Sequence, residues 1–172
     1  MIIDDFSDPS KASSGASWEL FTDQVMGGIS RGTMVPETVA GRSALRMSGS
    51  VELDNNGGFI QASLDLSADG SPIDARAYAG VECMVLGNDE RYNVHLRTAD
   101  TLRPWQSYRH AFKARKAWQS VRLPFSDFTP HRIETPLDLS CLRRISFVAI
   151  GRAFEADLCI SSLALIDANS GK

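Results

Sequence analysis

The sequence lacks the features of several specialised protein classes. Its 172 residues include only three cysteines, Cys83, Cys141 and Cys159, whose wide spacing gives neither a C-x-x-C pair nor a disulfide framework. No apolar run approaches the roughly 20 residues that a membrane-spanning helix needs. Because 43% of the residues are hydrophobic and 23% are charged, wholesale disorder, a collagen-like repeat and a coiled coil are also excluded.

Targeting signals are missing as well. The N-terminal segment, Met1–Phe6, has neither the basic region nor the long apolar region of a secretory signal, and it is acidic, unlike a transit peptide. Cys83 and Cys159 lie inside apolar runs, where free cysteine usually behaves as a small buried hydrophobic residue. The sequence therefore predicts a cytoplasmic protein with reduced thiols and no membrane span.

Motifs of the common catalytic and cofactor-binding sites are absent. There is no G-x-S-x-G, no P-loop, no H-E-x-x-H and no dinucleotide fingerprint followed by a helix. The three histidines, His95, His110 and His131, do not have the spacing of metal ligands. We predict a protein without enzymatic activity, without a cofactor and without a metal site.

Charge is unevenly distributed around a net value of −3. Residues 1–90 are strongly acidic, whereas residues 91–122 contain eight basic side chains and one acid, Asp100. If these bases share a face, they can attract an anionic partner. The alternatives are that they alternate with apolar residues and only solvate the outer surface, or that they pair with the acidic first half. We expect no nucleic-acid partner.

Short runs of β-branched and aromatic residues alternate with turn signals, and helical periodicity is hard to find. This pattern predicts a single all-β domain over residues 1–172, a sandwich or a barrel, with a frayed tail at 168–172. The eleven predicted strands are Ile2–Phe6, Trp18–Thr22, Ile29–Val35, Ala44–Ser48, Phe59–Leu66, Gly80–Leu86, Tyr92–Thr98, Ser107–Phe112, Gln119–Leu123, Arg144–Ile150 and Asp157–Ile166.

A dense polar cluster, Asp54–Gly58, has two interpretations. Its oxygen-bearing side chains and glycines could ligate Ca²⁺, although the EF-hand pattern is missing. The simpler interpretation is a turn, because Asn and Gly adopt positive φ at little cost. We predict a turn whose two glycines use positive φ.

Alternation within Arg91–Thr98 assigns the two faces of one strand. Tyr92, Val94 and Leu96 share one side and are predicted to be core, which leaves His95 and Arg97 on the other. The parity of the next strand is ambiguous, so either of its faces could point inward.

The side chains that we expect to bind a ligand or partner combine aromatic rings with charged donors, which can hold a sugar ring or a peptide side chain. Met26, followed by two glycines, adds an adaptable apolar contact at the rim. The alternative is an internal network in which Arg97 pairs with an acid and stacks on Trp105. The candidate site residues are His95, Arg97, Trp105, Tyr108, Asp23, Met26, Asn55 and Asn56.

Several ordered motifs carry a family resemblance. They are Thr22-Asp23-Gln24-Val25-Met26-Gly27-Gly28, Asn55-Asn56-Gly57-Gly58-Phe59, Tyr92-x-Val94-His95-Leu96-Arg97-Thr98, Trp105-x-x-Tyr108 and Trp118-x-x-Val121-x-Leu123-Pro124-Phe125-Ser126-Asp127-Phe128. In these motifs, and over nearly its whole length, the chain resembles the complex I intermediate-associated protein family, in particular its compact, stand-alone bacterial members.

The resemblance implies a galactose-binding-like jelly roll, a β-sandwich of two antiparallel sheets related to several carbohydrate-binding modules. It also implies a chaperone-like assembly factor, because mitochondrial members assist assembly of the membrane arm of NADH:ubiquinone oxidoreductase. The expected partners are then respiratory-complex subunits or assembly intermediates. The alternative is a module that binds a carbohydrate or another small, anionic ligand.

Overall fold

A computed structural model describes residues 1–169, apart from the side chain of Asn56. Residues 170–172 of the predicted frayed tail lie outside the described residues. The strands are β1 (Ile2–Asp4), β2 (Glu19–Thr22), β3 (Arg31–Val39), β4 (Arg42–Val51), β5 (Phe59–Asp65), β6 (Tyr78–Leu86), β7 (Glu90–Thr98), β8 (Ser107–Ala114), β9 (Gln119–Pro124), β10 (Thr129–His131), β11 (Leu142–Ile150) and β12 (Phe154–Asp167). Within residues 1–169 the only helical segments are short 3-10 turns, at Asp23–Met26, Asp54–Asn56, Phe125–Asp127 and Leu139–Cys141.

The strands form two six-stranded antiparallel sheets. Sheet I has the order β3-β4-β12-β6-β9, with β1 added to β12, and sheet II has the order β10-β8-β7-β11-β5-β2. Large apolar side chains of both sheets, among them Met47 and Leu158 from sheet I and Leu64 and Phe147 from sheet II, are fully buried in one core. The predicted galactose-binding-like jelly-roll sandwich is confirmed.

Each of the eleven predicted strands is present, and one strand was missed. The dipeptide Thr129-Pro130 reads as a turn, but it lies in β10, which pairs with β8 at the edge of sheet II. Proline lacks an N–H, so it is tolerated on an edge strand that needs no donor on its open side. The first strand is shorter than predicted because Phe6 has φ +58° and its N–H is bound by the Asp4 carboxylate at 2.8 Å.

The predicted sidedness of β7 is confirmed. Tyr92, Val94 and Leu96 are completely buried in the core between the sheets. His95 and Arg97 therefore lie on the outward face of sheet II. Among residues 1–169, no helix is long and apolar enough to cross a membrane.

Burial distinguishes the three free cysteines. It raises the pKa of Cys83 to about 12 and that of Cys159 to about 11, and since the thiolate is the reactive form, both should react slowly. Cys141 is half-buried. We expect iodoacetamide to label Cys141 first in the folded protein and all three thiols in urea, as followed by peptide mass spectrometry. Rapid labelling of Cys83 in the folded state would contradict this assignment.

Candidate binding face

The outward face of sheet II, which we call the binding face, brings several predicted residues together. His95 on β7 lies opposite Arg109 on β8 and Ser146 on β11, and Arg97 lies opposite Arg144. Side chains directly opposite each other in antiparallel strands have Cβ atoms about 4.5–5.5 Å apart. The β7, β8 and β10 part of the face consists of Arg91, Asn93, His95, Arg97, Ser107, Arg109, Ala111, Lys113, Thr129 and His131.

The centre of the binding face is recessed. His95, Ser146 and Ser63 are buried although they point away from the core between the sheets. The hydroxyl groups of Ser63 and Ser146 lie 2.7 Å apart, and the Gln61 amide donates to Ser63 at 2.8 Å. These small polar side chains form a hydrogen-bonded floor beneath the longer side chains of the face.

His95 is 6% exposed, and its Nε2 has no hydrogen-bond partner among the described residues. Burial lowers its pKa to about 3, with smaller contributions from Arg109 and His131. The imidazole is therefore neutral at physiological pH. A buried, unpaired ring nitrogen is uncommon and marks a position where an additional polar group would be favourable.

Arg97 organises the loop between β7 and β8. Its Nη2 donates to the Thr101 carbonyl at 2.8 Å, and its Nη1 lies 3.0–3.3 Å from the carbonyl oxygens of Arg103, Pro104 and Gln106. The sequence also offered an internal network with an acidic partner and stacking on Trp105. Arg97 does take part in an internal network, but its partners are backbone carbonyl groups and not an acid. Arg97 instead holds residues 99–106 in a fixed conformation through their backbone.

A groove of about 370 Å³ lies between this loop and the end of β2. Its apolar wall includes Val25 and Leu102, which are 72% and 82% exposed. Arg143 and Arg144 supply positive charge. The full lining is Phe21, Val25, Phe59, Gln61, Arg97, Leu102, Pro104, Arg143 and Arg144.

The two aromatic candidates occupy different environments. Trp105 is 53% exposed and follows Pro104 of the groove wall, without lining the groove itself. Tyr108 is completely buried on the core side of β8, where its hydroxyl donates to the Thr135 carbonyl at 2.5 Å. The expectation that Tyr108 shares a surface with His95 is corrected, because the register pairs Tyr108 with the core residue Leu96.

Asp23 is a buried structural residue rather than part of an exposed rim. Its carboxylate accepts hydrogen bonds from the Ser30 N–H at 2.9 Å, from the Ser30 hydroxyl and from the Gly58 N–H. Burial by itself raises the pKa of this carboxyl, but the hydrogen bonds from Ser30 and Gly58 outweigh it and leave the pKa below 3.8. Asp23 thus links the first 3-10 turn to the start of β5.

One glycine from each of the two flanking pairs packs against this carboxylate. A Cβ atom on Gly28 or on Gly57 would overlap the Asp23 carboxyl group. The turn predicted at Asn55–Gly58 is confirmed as a 3-10 turn over Asp54–Asn56, but its geometry differs from the expectation: φ is positive at Asn55 and Gly58, whereas Gly57 has φ −78°. Gly57 is needed for the close approach and not for a left-handed backbone.

The remaining candidates lie beside this unit. Met26 is 64% exposed and follows Val25 of the groove wall. Asn55 is exposed at the tip of its turn. The side chain of Asn56 lies outside the described part of the structure.

The basic segment, residues 91–122, places half of its basic side chains on one face of sheet II. Four of its eight bases lie on the binding face. Two others form ion pairs, Lys116 with Asp89 at 3.9 Å and Arg122 with Glu82 at 2.9 Å. In the described chain, a shared face therefore accounts for four of the eight bases, and ion pairing with the acidic first half accounts for two. The four are Arg91, Arg97, Arg109 and Lys113.

Sequence reasoning missed most of the groove. Phe21, Phe59 and Leu102 come from three distant segments, and each looks like an ordinary apolar residue in its own context. One signal was available: Val25 lies inside the same motif as Met26, in a segment too short and polar to bury both side chains.

The profile of one family, complex I intermediate-associated protein 30 (CIA30), matches residues 5–160. The chain belongs to this family. The buried Asp23 and its two glycine pairs lie inside the matched range, so the motifs that carried the resemblance form a structural unit of this CIA30 chain. No curated protein is significantly similar to the chain in sequence.

Solved structures similar to this CIA30 chain include carbohydrate-binding modules. A family 11 module of the cellulosomal cellulase Lic26A-Cel5E of Clostridium thermocellum is 13% identical with a TM-score of 0.76, over 98% of this chain and 94% of that one. The family 11 module in complex with a β-1,3-1,4-mixed-linked tetrasaccharide is 14% identical with a TM-score of 0.73, over 97% and 95%. The family 30 module of the cellulase Cel9D-Cel44B from the same organism is 17% identical with a TM-score of 0.59, over 83% and 92%. At these identities the likeness establishes the fold alone.

Proposed function

We propose that this CIA30 chain is a non-catalytic module that binds a protein partner through the groove of the binding face, as an assembly factor of respiratory NADH:ubiquinone oxidoreductase. The family supports a role related to complex I assembly, and subunits or assembly intermediates of that complex are the proposed partners. A cytoplasmic location is part of the proposal and is supported by the three free cysteines, which a reducing compartment preserves.

The observation that carries the proposal is the composition of the groove. Val25 and Leu102 place large apolar side chains in solvent in the lining of a cavity whose charged members are all arginines. Exposed apolar residues gathered around a concavity are typical of interaction sites. The volume of about 370 Å³ suits one or two side chains of a partner segment.

The second candidate is carbohydrate binding. It is supported by the fold shared with the carbohydrate-binding modules and by the half-exposed Trp105. The groove itself fits a neutral sugar less well, because Gln61 is its one uncharged polar side chain beside three arginines. A sugar ring would also need an open aromatic face, and Arg144 lies 5.8 Å from the centre of the Phe21 ring.

The test is affinity purification from the native cell followed by mass spectrometry. We expect respiratory-complex subunits with the wild-type protein and at least about tenfold lower recovery with the double variant Val25→Ser/Leu102→Ser. The matched control is Ile2→Ser/Val35→Ser, which removes exposed apolar side chains from sheet I. Since exposed substitutions change the free energy of unfolding by about 0.5 kcal/mol or less, all forms should melt alike.

Equal recovery with the groove and control variants would refute the groove as the docking site. Failure to recover respiratory-complex subunits, together with binding of a mixed-linked β-glucan in calorimetry that the groove variant loses, would favour the carbohydrate alternative.

A further inference from the structure

The β7, β8 and β10 part of the binding face carries positive charge without a carboxylate. Its strands contribute Arg109 and His131 next to His95, and acids of the described binding face, such as Asp65, lie on the far side of β11. Asp65 is already engaged, because Arg144 donates to it at 2.7 Å.

Arg109 occupies the middle of this area. It lies directly opposite His95 on β7 and opposite Thr129 on β10, so neither cross-strand neighbour is acidic. His131 pairs with Ser107, two positions along β8, which puts it diagonal to Arg109. The described residues give the half-buried Arg109 side chain one hydrogen bond, from Nε to the Ser107 hydroxyl at 2.9 Å.

This arrangement leaves hydrogen-bonding capacity unused. A guanidinium group has five N–H donors, and desolvating a cation without a partner is unfavourable. Burial lowers the pKa of Arg109, and Arg132 adds a further repulsive charge. Beside it, His95 Nε2 is buried and unpaired. Arg109, and His95 in the neutral tautomer that carries its proton on Nε2, would both gain from one ligand that accepts hydrogen bonds.

We propose that Arg109, with His95 and His131, forms a carboxylate subsite that receives an acidic side chain of the protein partner. A carboxylate can accept two parallel hydrogen bonds from one guanidinium group, which neither a sugar hydroxyl nor an amide can match in charge and geometry. The inference rests on the proposed function: the partner segment places an apolar side chain in the groove and an acidic one on Arg109.

The first arm of the test uses acetate as the probe on the full chain. In two-dimensional NMR, sodium acetate should produce saturable shifts of the Arg109 Nε–H and His95 ring signals, whereas sodium chloride at the same ionic strength should not. In Arg109→Gln, which no longer has the Nε–H signal, the His95 ring signals should not shift. The matched control, Arg122→Gln, removes the same charge from the outward face of sheet I and should leave the acetate-induced shifts unchanged.

The second arm repeats the native purification. Arg109→Gln should lower partner recovery at least about tenfold, the effect expected for loss of one charge-assisted bidentate contact, and Arg122→Gln should not. Arg109→Lys keeps the charge but lacks the bidentate geometry, so partner recovery should rise by less than half of what Arg109→Gln loses. If Arg109→Gln melts at a lower temperature than the wild type, Arg109→Lys is compared with the wild type in its place.

The outcomes separate the two claims. Loss of the partner with Val25→Ser/Leu102→Ser but not with Arg109→Gln would overturn the carboxylate subsite and leave the groove intact. Acetate shifts without any effect of Arg109→Gln on recovery would also overturn it, since the anion site would then not serve the partner. Retention of the partner by both variants would instead refute the proposed function.

Discussion

Replacement of Asp23 by alanine is expected to lower the free energy of unfolding by about 3 kcal/mol or more, one of the two largest effects that we predict for a single substitution in this chain. The change leaves the Ser30 N–H and the Gly58 N–H without their acceptor in a buried site, and it leaves the Ser30 hydroxyl with only the Glu52 carbonyl, at 3.2 Å. Each unsatisfied buried donor costs about 1–3 kcal/mol. For a chain of this size the melting temperature should fall by roughly 6–12 °C.

The control for Asp23→Ala is Asp54→Ala, which removes an exposed carboxylate from the neighbouring turn. It should change the free energy of unfolding by about 0.5 kcal/mol or less. Urea titrations of both variants against the wild type measure the difference. If Asp23→Ala is as stable as Asp54→Ala, the carboxylate does not hold the first 3-10 turn to β5.

The pH dependence of this effect has a definite sign. Hydrogen bonds keep the pKa of Asp23 below its ordinary value of 3.8 in the folded protein. The stabilisation is therefore fully present above about pH 4 and is lost as the pH falls through the lower, folded-state pKa. The difference in stability between wild type and Asp23→Ala should be constant from pH 5 to 7 and should shrink below about pH 4. A difference that grew on acidification would contradict the assignment.

The fold could be predicted because the necessary information is local. In β7 every second residue is apolar, so Tyr92, Val94 and Leu96 define the buried side without any knowledge of neighbouring strands. Edge strands carry a weaker signal. β10 is three residues long and contains Pro130, so only its pairing with β8 identifies it as a strand.

The binding site was predictable only in part, because side-chain roles depend on register and on contacts between distant segments. Tyr108 and Arg109 are adjacent in sequence, and only the pairing of β8 with β7 decides that Tyr108 enters the core. Asp23 looks like a loop acid until Gly58, 35 residues later, is seen to donate to it. No local pattern encodes either arrangement.

Replacement of Arg97 by alanine is expected to release the loop of residues 99–106. The guanidinium group bridges carbonyl oxygens at both ends of this loop, including those of Thr101 and Gln106. Hydrogen bonds to charged groups contribute about 1.5–3 kcal/mol each, but the freed carbonyl groups can turn toward water. We therefore expect a loss of about 2–3 kcal/mol in the free energy of unfolding and a large local increase in amide exchange.

Hydrogen–deuterium exchange measured by mass spectrometry separates this positioning role from direct ligand contact. Arg97→Ala should accelerate exchange in residues 99–106, whereas Arg91→Ala, on the same face of the same strand but exposed, should not. Arg97→Lys should not restore protection, because a single ammonium group cannot span carbonyl groups that the planar guanidinium reaches together. Since Leu102 forms one wall of the groove, the released loop should also weaken partner recovery. Weakened recovery with unchanged exchange would show instead that Arg97 contacts the partner directly.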